Sequence, residues 1–300
     1  MVPSVLVIGD IMAEVCLVVD DAMSVAPDAE VHQYALSCGG SAANFACCGS
    51  ALGMSVELMS QMGDDSVTPM LSADLSAFDV GVRFVRRHAG PNSVCVIVIG
   101  PDGERRFMSH RGPESTEGPH DLRTLDGIDW VHVSGFVFQR EVSAQRVWSL
   151  IQHARTSGLT ISLDPSPMMT PYVKDVNPAL LSHVDYLFPN AFEARALTGL
   201  QDPEQAAERL LEMGAAFVAL TQGADGVLLR GPTIDQQLPA APQPRVQDST
   251  GAGDAFAAGF VAATRQGADP VDAARTGTLA AAAVIARVGG HSGAVDLQGR

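Results

Sequence analysis

The feature that most constrains this chain is the rhythm of its second half. Short apolar runs, each closed by a turn-forming residue, alternate with stretches of helical spacing. Trp130-Val131-His132-Val133-Ser134-Gly135 reads as a strand and residues 142–157 as an amphipathic helix. Thr160-Ile161-Ser162-Leu163-Asp164-Pro165 is the next strand, then Tyr186-Leu187-Phe188-Pro189-Asn190, with a helix from Ala191. Phe217-Val218-Ala219-Leu220-Thr221 follows, closed by Gln222-Gly223-Ala224-Asp225-Gly226, and Val227-Leu228-Leu229 turns back. Such repetition joins parallel strands through right-handed crossovers and places helices on both faces of one sheet. Val5-Leu6-Val7-Ile8, apolar throughout, adds a strand buried on both sides. The fold class is α/β, a three-layer sandwich around a mostly parallel sheet.

Two segments break this rhythm. Residues 14–37 and 93–109 alternate apolar and polar positions with no helix between, and Gly100-Pro101-Asp102-Gly103 supplies a hairpin turn. They predict a small separate sheet. The Pro239–Pro244 stretch reads as a connection.

Hydrophobic residues make up 46% of the 300, enough for a large core. The net charge of −15 is the wrong sign for nucleic acid or an anionic membrane surface. Five cysteines, an odd number without CxxC spacing, favour a reducing compartment over a disulfide scaffold or zinc site. The first residues carry no basic leader, and no apolar run reaches membrane-spanning length, so the expected location is the cytoplasm. No Gly-x4-Gly-Lys-Ser/Thr and no Gly-x-Gly-x-x-Gly after the first strand is present, which excludes a P-loop and disfavours a dinucleotide fold.

The chemistry concentrates in Asp248-Ser249-Thr250-Gly251-Ala252-Gly253-Asp254, a glycine-punctuated turn opening a helix of small residues. Free amides at a helix start suit an anion. A carboxylate there, Asp254, does not hold the anion; it accepts a proton from an attacking hydroxyl or holds a metal. The competing reading is a cap with tight packing. Asp10 closes the first strand, where open α/β sheets bind ligands, though strand-end Asp also forms turns. Gly39 and Gly40 let amides face a ligand, and Asn44 offers a donor and an acceptor to a neutral polyol. Asn190 and Glu193 share one face of a helix start, as a capping box would. Thr221, Gly223 and Gly226 form a loop that cradles phosphate or ribose, or a plain turn. The histidines are scattered, and His291 and His110 read as surface or lid polar residues rather than metal ligands.

Asp-Ser-Thr-Gly-Ala-Gly-Asp closely resembles the C-terminal signature of the ribokinase-like (PfkB) carbohydrate kinases. Gly9-Asp10, Cys38-Gly39-Gly40 and Gly63-Asp64-Asp65 resemble the N-terminal one, so the likeness spans nearly the whole chain. It implies one ribokinase-like domain over residues 1–300, in which the small sheet is a lid over the sugar and a surface through which two copies can pair. It implies ATP as donor with Mg²⁺. Asp254 would be the base, and the amides of Gly251, Ala252 and Gly253 the anion hole. Asp10, Gly39, Gly40 and Asn44 would grip the acceptor. Asn190, Thr221, Gly223 and Gly226 would serve the nucleotide, and Glu193 Mg²⁺ through water. Asp248 and Thr250, with Val288-Gly289-Gly290-His291, resemble a monovalent-cation (K⁺) site, although that last loop departs from the usual wording.

The expected activity is phosphoryl transfer to a sugar hydroxyl. A nucleoside acceptor is the alternative, with Phe136 and Phe138 as a wall for the base. A 2-keto-3-deoxy sugar acid is another, with Arg105, Arg106 and Arg111 meeting its carboxylate. A non-catalytic sugar- or nucleotide-binding regulator is the reading from a different class, and the retained Asp254 with Gly-Ala-Gly argues against it.

Overall fold

The computed structural model describes residues 4–21, 28, 30–101, 105–112, 125–242 and 245–298. Parts of the expected 20–30 loop, Asp102 and Gly103 of the hairpin turn, and the end of the proline-rich connection lie outside them.

Nine strands form the central sheet. From one edge they are β5 (Gly81–Arg87), β4 (Val56–Met62), β1 (Ser4–Ile8), β8 (Ile128–Ser134), β9 (Thr160–Asp164), β10 (Tyr186–Leu187), β11 (Val218–Thr221), β12 (Val227–Gly231) and β13 (Ile234–Leu238). The first seven run parallel, and β12 and β13 are antiparallel to their neighbours. Alternation along β1 explains its unbroken apolar run. Val5 and Val7 enter the core on one face, Leu6 and Ile8 the core on the other.

Four helices cover the Val5 and Val7 face: α1 (Ser41–Ala51), α2 (Thr68–Ala77), α6 (Ala252–Arg265) and α7 (Pro270–Val284). The opposite face carries α3 (Glu141–Thr156), α4 (Ala191–Thr198) and α5 (Pro203–Glu212). Helices α6 and α7 pack backbone to backbone, which is why their contact is built from glycine. A Cβ on Gly259 would stand 2.9 Å from the Gly277 Cα, and one on Gly277 would stand 2.7 Å from the Phe256 carbonyl oxygen. Beneath α6, Phe260 is fully buried, its ring 5.2 Å from Phe188 and 5.6 Å from Phe217. Truncating such a residue costs about 3–5 kcal/mol, so the helix that begins at the glycine-rich turn is firmly bedded. The apolar stretch at 279–288 is only partly a buried helix: α7 ends at Val284 and Leu279 is exposed.

The two segments without interleaved helices form a separate four-stranded sheet in the order β3 (Gln33–Gly39), β2 (Met12–Val18), β6 (Ser93–Ile99), β7 (Arg105–His110). Its inner face carries the cross-strand row Ser37, Glu14, Cys95, Ser109. Its outer face exposes Tyr34, Leu36 and Met108. All five cysteines are buried and unpaired. Among the described residues no helix is long and apolar enough to cross a membrane.

Candidate active site

Strand order reverses at β1: the chain goes to β4 and β5 on one side, then to β8 through β11 on the other. Open α/β sheets bind ligands at such a point, outside the carboxyl ends of the strands. Asp10 lies there, directly after β1. Asp164 ends β9, Thr221 ends β11, and Asn190 sits beside Thr221 in an isolated parallel bridge. The small sheet stands over this edge and completes a cavity of about 650 Å³.

The turn at 249–251 enters α6 with Gly251 as N-cap at φ +74. A side chain is excluded there twice. The backbone angle is left-handed, and a Cβ would stand 1.8 Å from the Gly290 carbonyl oxygen. Gly253 differs. Its φ is ordinary, and a Cβ would meet only Asp164 Oδ2, at 4.0 Å. Glycine in a helix costs roughly 0.5–1 kcal/mol relative to alanine. No protein atom calls for glycine at 253; the open space above it does.

Asp254 is 8% exposed. Ser41 Oγ donates to its Oδ1 at 2.8 Å, and Asn44 Nδ2 donates to its Oδ2 at 3.1 Å. Burial pushes the Asp254 pKa up to about 6; the Asp10 charge adds to this, and hydrogen bonds from Ser41, Asn44 and Asp164 oppose it. Asp164 is held well above the usual carboxylate range by burial, then by the Glu193 and Asp254 charges. It is therefore the member of the pair that keeps its proton and donates to Asp254. An acid of pKa near neutrality is matched to taking a proton from an alcohol in the transition state.

The Asn44 amide has a fixed orientation. Its Nδ2 faces Asp254, so its Oδ1 accepts from His291 Nδ1 at 3.1 Å. His291 thus corrects the sequence reading: it is 3% exposed, not a surface or lid group. Burial lowers its pKa, with Asp74 opposing, and the ring stays neutral to act as donor. His110 is exposed, as expected.

Asp10 is buried, and its Oδ2 accepts from Arg111 Nη1 at 3.1 Å. The Arg111 guanidinium stacks 4.6 Å above the Phe136 ring. Gly40, at φ +91, passes within 2.8 Å of the Asp10 carbonyl oxygen at the position a Cβ would take, and Gly39 makes room for Glu14. Glu14 is a site residue the sequence reading missed. Its Oε1 accepts from the Gly40 N–H at 2.9 Å, and its Oε2 is buried without a partner among the described residues. Burial raises its pKa to about 8; the Gly40 N–H opposes this, and the Asp254, Asp10 and Asp248 charges add to it. The signal was available: Glu14 shares its strand face with Met12 and Cys16, an acid on an apolar inner face. Asp164 was missed too, though it closes a parallel strand as Asp10 does.

Asn190 and Glu193 form a complete capping box on α4, with Asn190 N–H to Glu193 Oε2 and Glu193 N–H to Asn190 Oδ1 both at 2.9 Å. Both also line the cavity. The Glu193 pKa is raised to about 8 by burial and by the Asp254 charge, against hydrogen bonds from Asn190. Asp248 is 1% exposed. Its Oδ1 accepts from Thr250 N–H (2.9 Å) and Thr250 Oγ1 (2.7 Å), and its Oδ2 from Gly289 N–H (3.0 Å). These three bonds engage both oxygens of the carboxylate. Asp248 thereby ties the amide turn to the 288–291 loop.

A second cavity, about 500 Å³, lies on the far side of Gly253. Thr221, Gly223 and Gly226 line it with Ala241, Phe256 and Ile285, and no charged residue does so among those described. The two cavities share Thr221, Ser249, Ala252 and Gly253. Of the three arginines expected to face the acceptor, Arg105 and Arg111 line the larger cavity and Arg106 does not. Phe136 lines it, whereas Phe138 is buried against Tyr172 and forms no wall.

Comparison with known proteins agrees with this geometry. The family model described as "pfkB family carbohydrate kinase" matches residues 2–296. An ATP-dependent ribose-1-phosphate kinase of Halopiger xanaduensis is 32% identical over 86% of this chain and 83% of its own length. The crystal structure of adenosine kinase from Sinorhizobium meliloti superposes with TM-score 0.87 at 22% identity, covering 99% of this chain and 98% of the other. Arabidopsis thaliana ribokinase complexed with ribose and ATP superposes with TM-score 0.80 at 21% identity, covering both chains fully (100% each).

Proposed function

The chain belongs to the pfkB family of carbohydrate kinases, a phosphotransferase acting on an alcohol, and we propose that it moves the γ-phosphoryl group of ATP to a hydroxyl of a sugar-like acceptor held between Asp10 and Asp254. One observation carries this reading: two cavities of opposite character meet at the Gly253 amides, with Asp254 on the polar side. The uncharged cavity suits a base and ribose. The polar one suits a polyol, whose hydroxyls find an acceptor at Asp10 and, at the unpartnered Glu14 Oε2, a group that can give or take a hydrogen bond.

In the reaction the acceptor hydroxyl gives its proton to Asp254 as its oxygen bonds to phosphorus. The bond from phosphorus to the bridging oxygen of ADP breaks, and ADP leaves with that electron pair. Amides of Gly251, Ala252 and Gly253 stabilise the charge spread over the phosphoryl oxygens. Ser41 and Asn44 hold the Asp254 carboxylate in place, and Asp164 keeps one proton in the pair.

Asn190 and Glu193 fit Mg²⁺ held through water. Among the described residues no cluster of three or more ligand side chains is present, and magnesium needs few protein carboxylates. Its chemistry would be charge neutralisation on the phosphates. For K⁺ the Asp248 side chain offers only the remaining lone pair of Oδ2, since Oδ1 accepts two hydrogen bonds and Oδ2 one.

The test is Asp254→Asn in a coupled ADP-release assay across sugars, sugar acids and nucleosides. Turnover of the best acceptor should fall at least ~1,000-fold, more than the 10²–10⁴-fold range of general-base losses at its lower end, with nucleotide affinity within about twofold. Near-normal turnover in that variant sinks the assignment.

A further inference from the structure

Asn44 is 2% exposed, and its side-chain amide is wedged against the loop that follows α7. A Cβ on Gly290 would stand 2.5 Å from its Nδ2 and 2.8 Å from its Oδ1. Packing of this kind fixes the plane of the amide but not its direction, because the two ends of a carboxamide have nearly the same shape. Direction is set by the partners. On one side lies Asp254 Oδ2, 3.1 Å from Nδ2, and on the other His291 Nδ1, 3.1 Å from Oδ1. The His291 ring is buried and edge-on to Phe78, with ring centres 5.3 Å apart. Burial keeps it neutral against the opposing Asp74 charge.

A turned amide would put Oδ1 against Asp254. An ionised carboxylate has no proton to give it, so that arrangement also needs a proton on Asp254. It would put Nδ2 against His291 Nδ1 as well, and the imidazole proton would have to leave that nitrogen. The turned state therefore requires three changes with His291 present and two without it. Once the imidazole is gone, the donor on Asp254 Oδ2 is easier to lose and the protonated acid easier to form.

We propose that His291 is a positioning residue: its Nδ1–H, given to Asn44 Oδ1, holds the amide with Nδ2 toward Asp254 and so keeps the proposed base oriented and ready to take a proton. This rests on the kinase reading above. His291 lines neither cavity, so it acts through the one amide and not on the reactants.

His291→Phe tests it, since it keeps a ring beside Phe78 and removes the donor. The kcat should fall about tenfold, with acceptor KM within about threefold. The acid limb of kcat/KM should move to higher pH by roughly half a unit or more, because the Asn44 hydrogen bond holds the Asp254 pKa down. Asp10, Glu14, Asp164 and Glu193 also face Asp254, and the substitution alters none of them. His291→Gln, which can donate to the same oxygen, should recover most of the rate. In an Asn44→Ala background His291→Phe should cost less than about twofold more, as expected of residues acting through one bond. The Asp254 pKa of the unliganded protein, read from its carboxyl carbon by NMR and assigned with Asp254→Asn, should rise by the same amount. That titration needs no turnover. A His291→Phe variant with the parent's Asp254 titration overturns the proposal. So do equal losses for Phe and Gln, or a penalty that persists undiminished without the Asn44 amide. The kinase reading falls separately, on Asp254→Asn that still turns over.

Discussion

The two cavities differ in one physical respect. The cavity proposed for the acceptor gathers five carboxylates and two arginines, and the one proposed for the nucleotide has no charged lining residue among those described. An uncharged pocket gains affinity from buried area and changes little with pH. A pocket of crowded acids depends on which of them keep their protons. On the proposed function, the contrast assigns specificity and pH dependence to one side of Gly253 and nucleotide retention to the other.

The largest test of that contrast is at the boundary itself, where two glycines are there for different reasons. Gly251→Ala should lose more than ~100-fold in turnover, since it displaces the amides. It should also melt well below the parent, because the left-handed backbone and the Gly290 carbonyl both reject a side chain. Gly253→Ala should melt no lower than the parent, as the helix gains from alanine, yet turn over roughly 10–100-fold more slowly because its methyl occupies the phosphoryl's space. Calorimetry beside the assay separates the two. Equal melting losses would end the argument that Gly253 is kept open for a ligand.

A smaller effect is expected from pH. As the proposed base, Asp254 must be ionised to act, and burial pushes its pKa up to about 6. The acceptor kcat/KM should therefore climb tenfold per unit below that value and level off above it. Nucleotide affinity, corrected for ionisation of the phosphates, should stay flat. A slope of equal size on both sides would erase the distinction.

The smallest concerns the empty protein. Glu14 has its pKa raised from 4.5 to about 8. Its folded form thus binds a proton more tightly than its unfolded form. That contribution to stability is full below the unfolded pKa and is lost as pH rises through the folded one. The melting temperature should fall between pH 5 and 8.5, and Glu14→Gln should flatten the fall and melt roughly several degrees higher at the alkaline end. A variant with the parent's slope would clear Glu14 of the effect.

The sheet and the amide turn were legible in the sequence because both are local patterns. The apolar run of β1 and the glycine-punctuated turn before α6 each show in a few consecutive residues. The pairings that finish the site join distant residues: Asp10 with Arg111, Asn44 with His291, Asp164 with Asp254. Topology makes these, and no spacing encodes them. His291 shows the cost, since a solitary histidine near the end of a chain gives no hint that it lies under an amide. Glu14 was hidden differently, inside a strand whose alternation drew attention away from its sign.

The seam between α6 and α7 has a mechanical consequence. At Gly259 and Gly277 the two helices meet main chain to main chain, with only the Phe256 ring and the Ala280 methyl packed beside the contact. The turn at 249–253 and Asp254 are thus seated on a helix held close against its neighbour. On the proposed function, narrowing of the gap around the reactants falls to the sheet that carries Glu14 and Arg105.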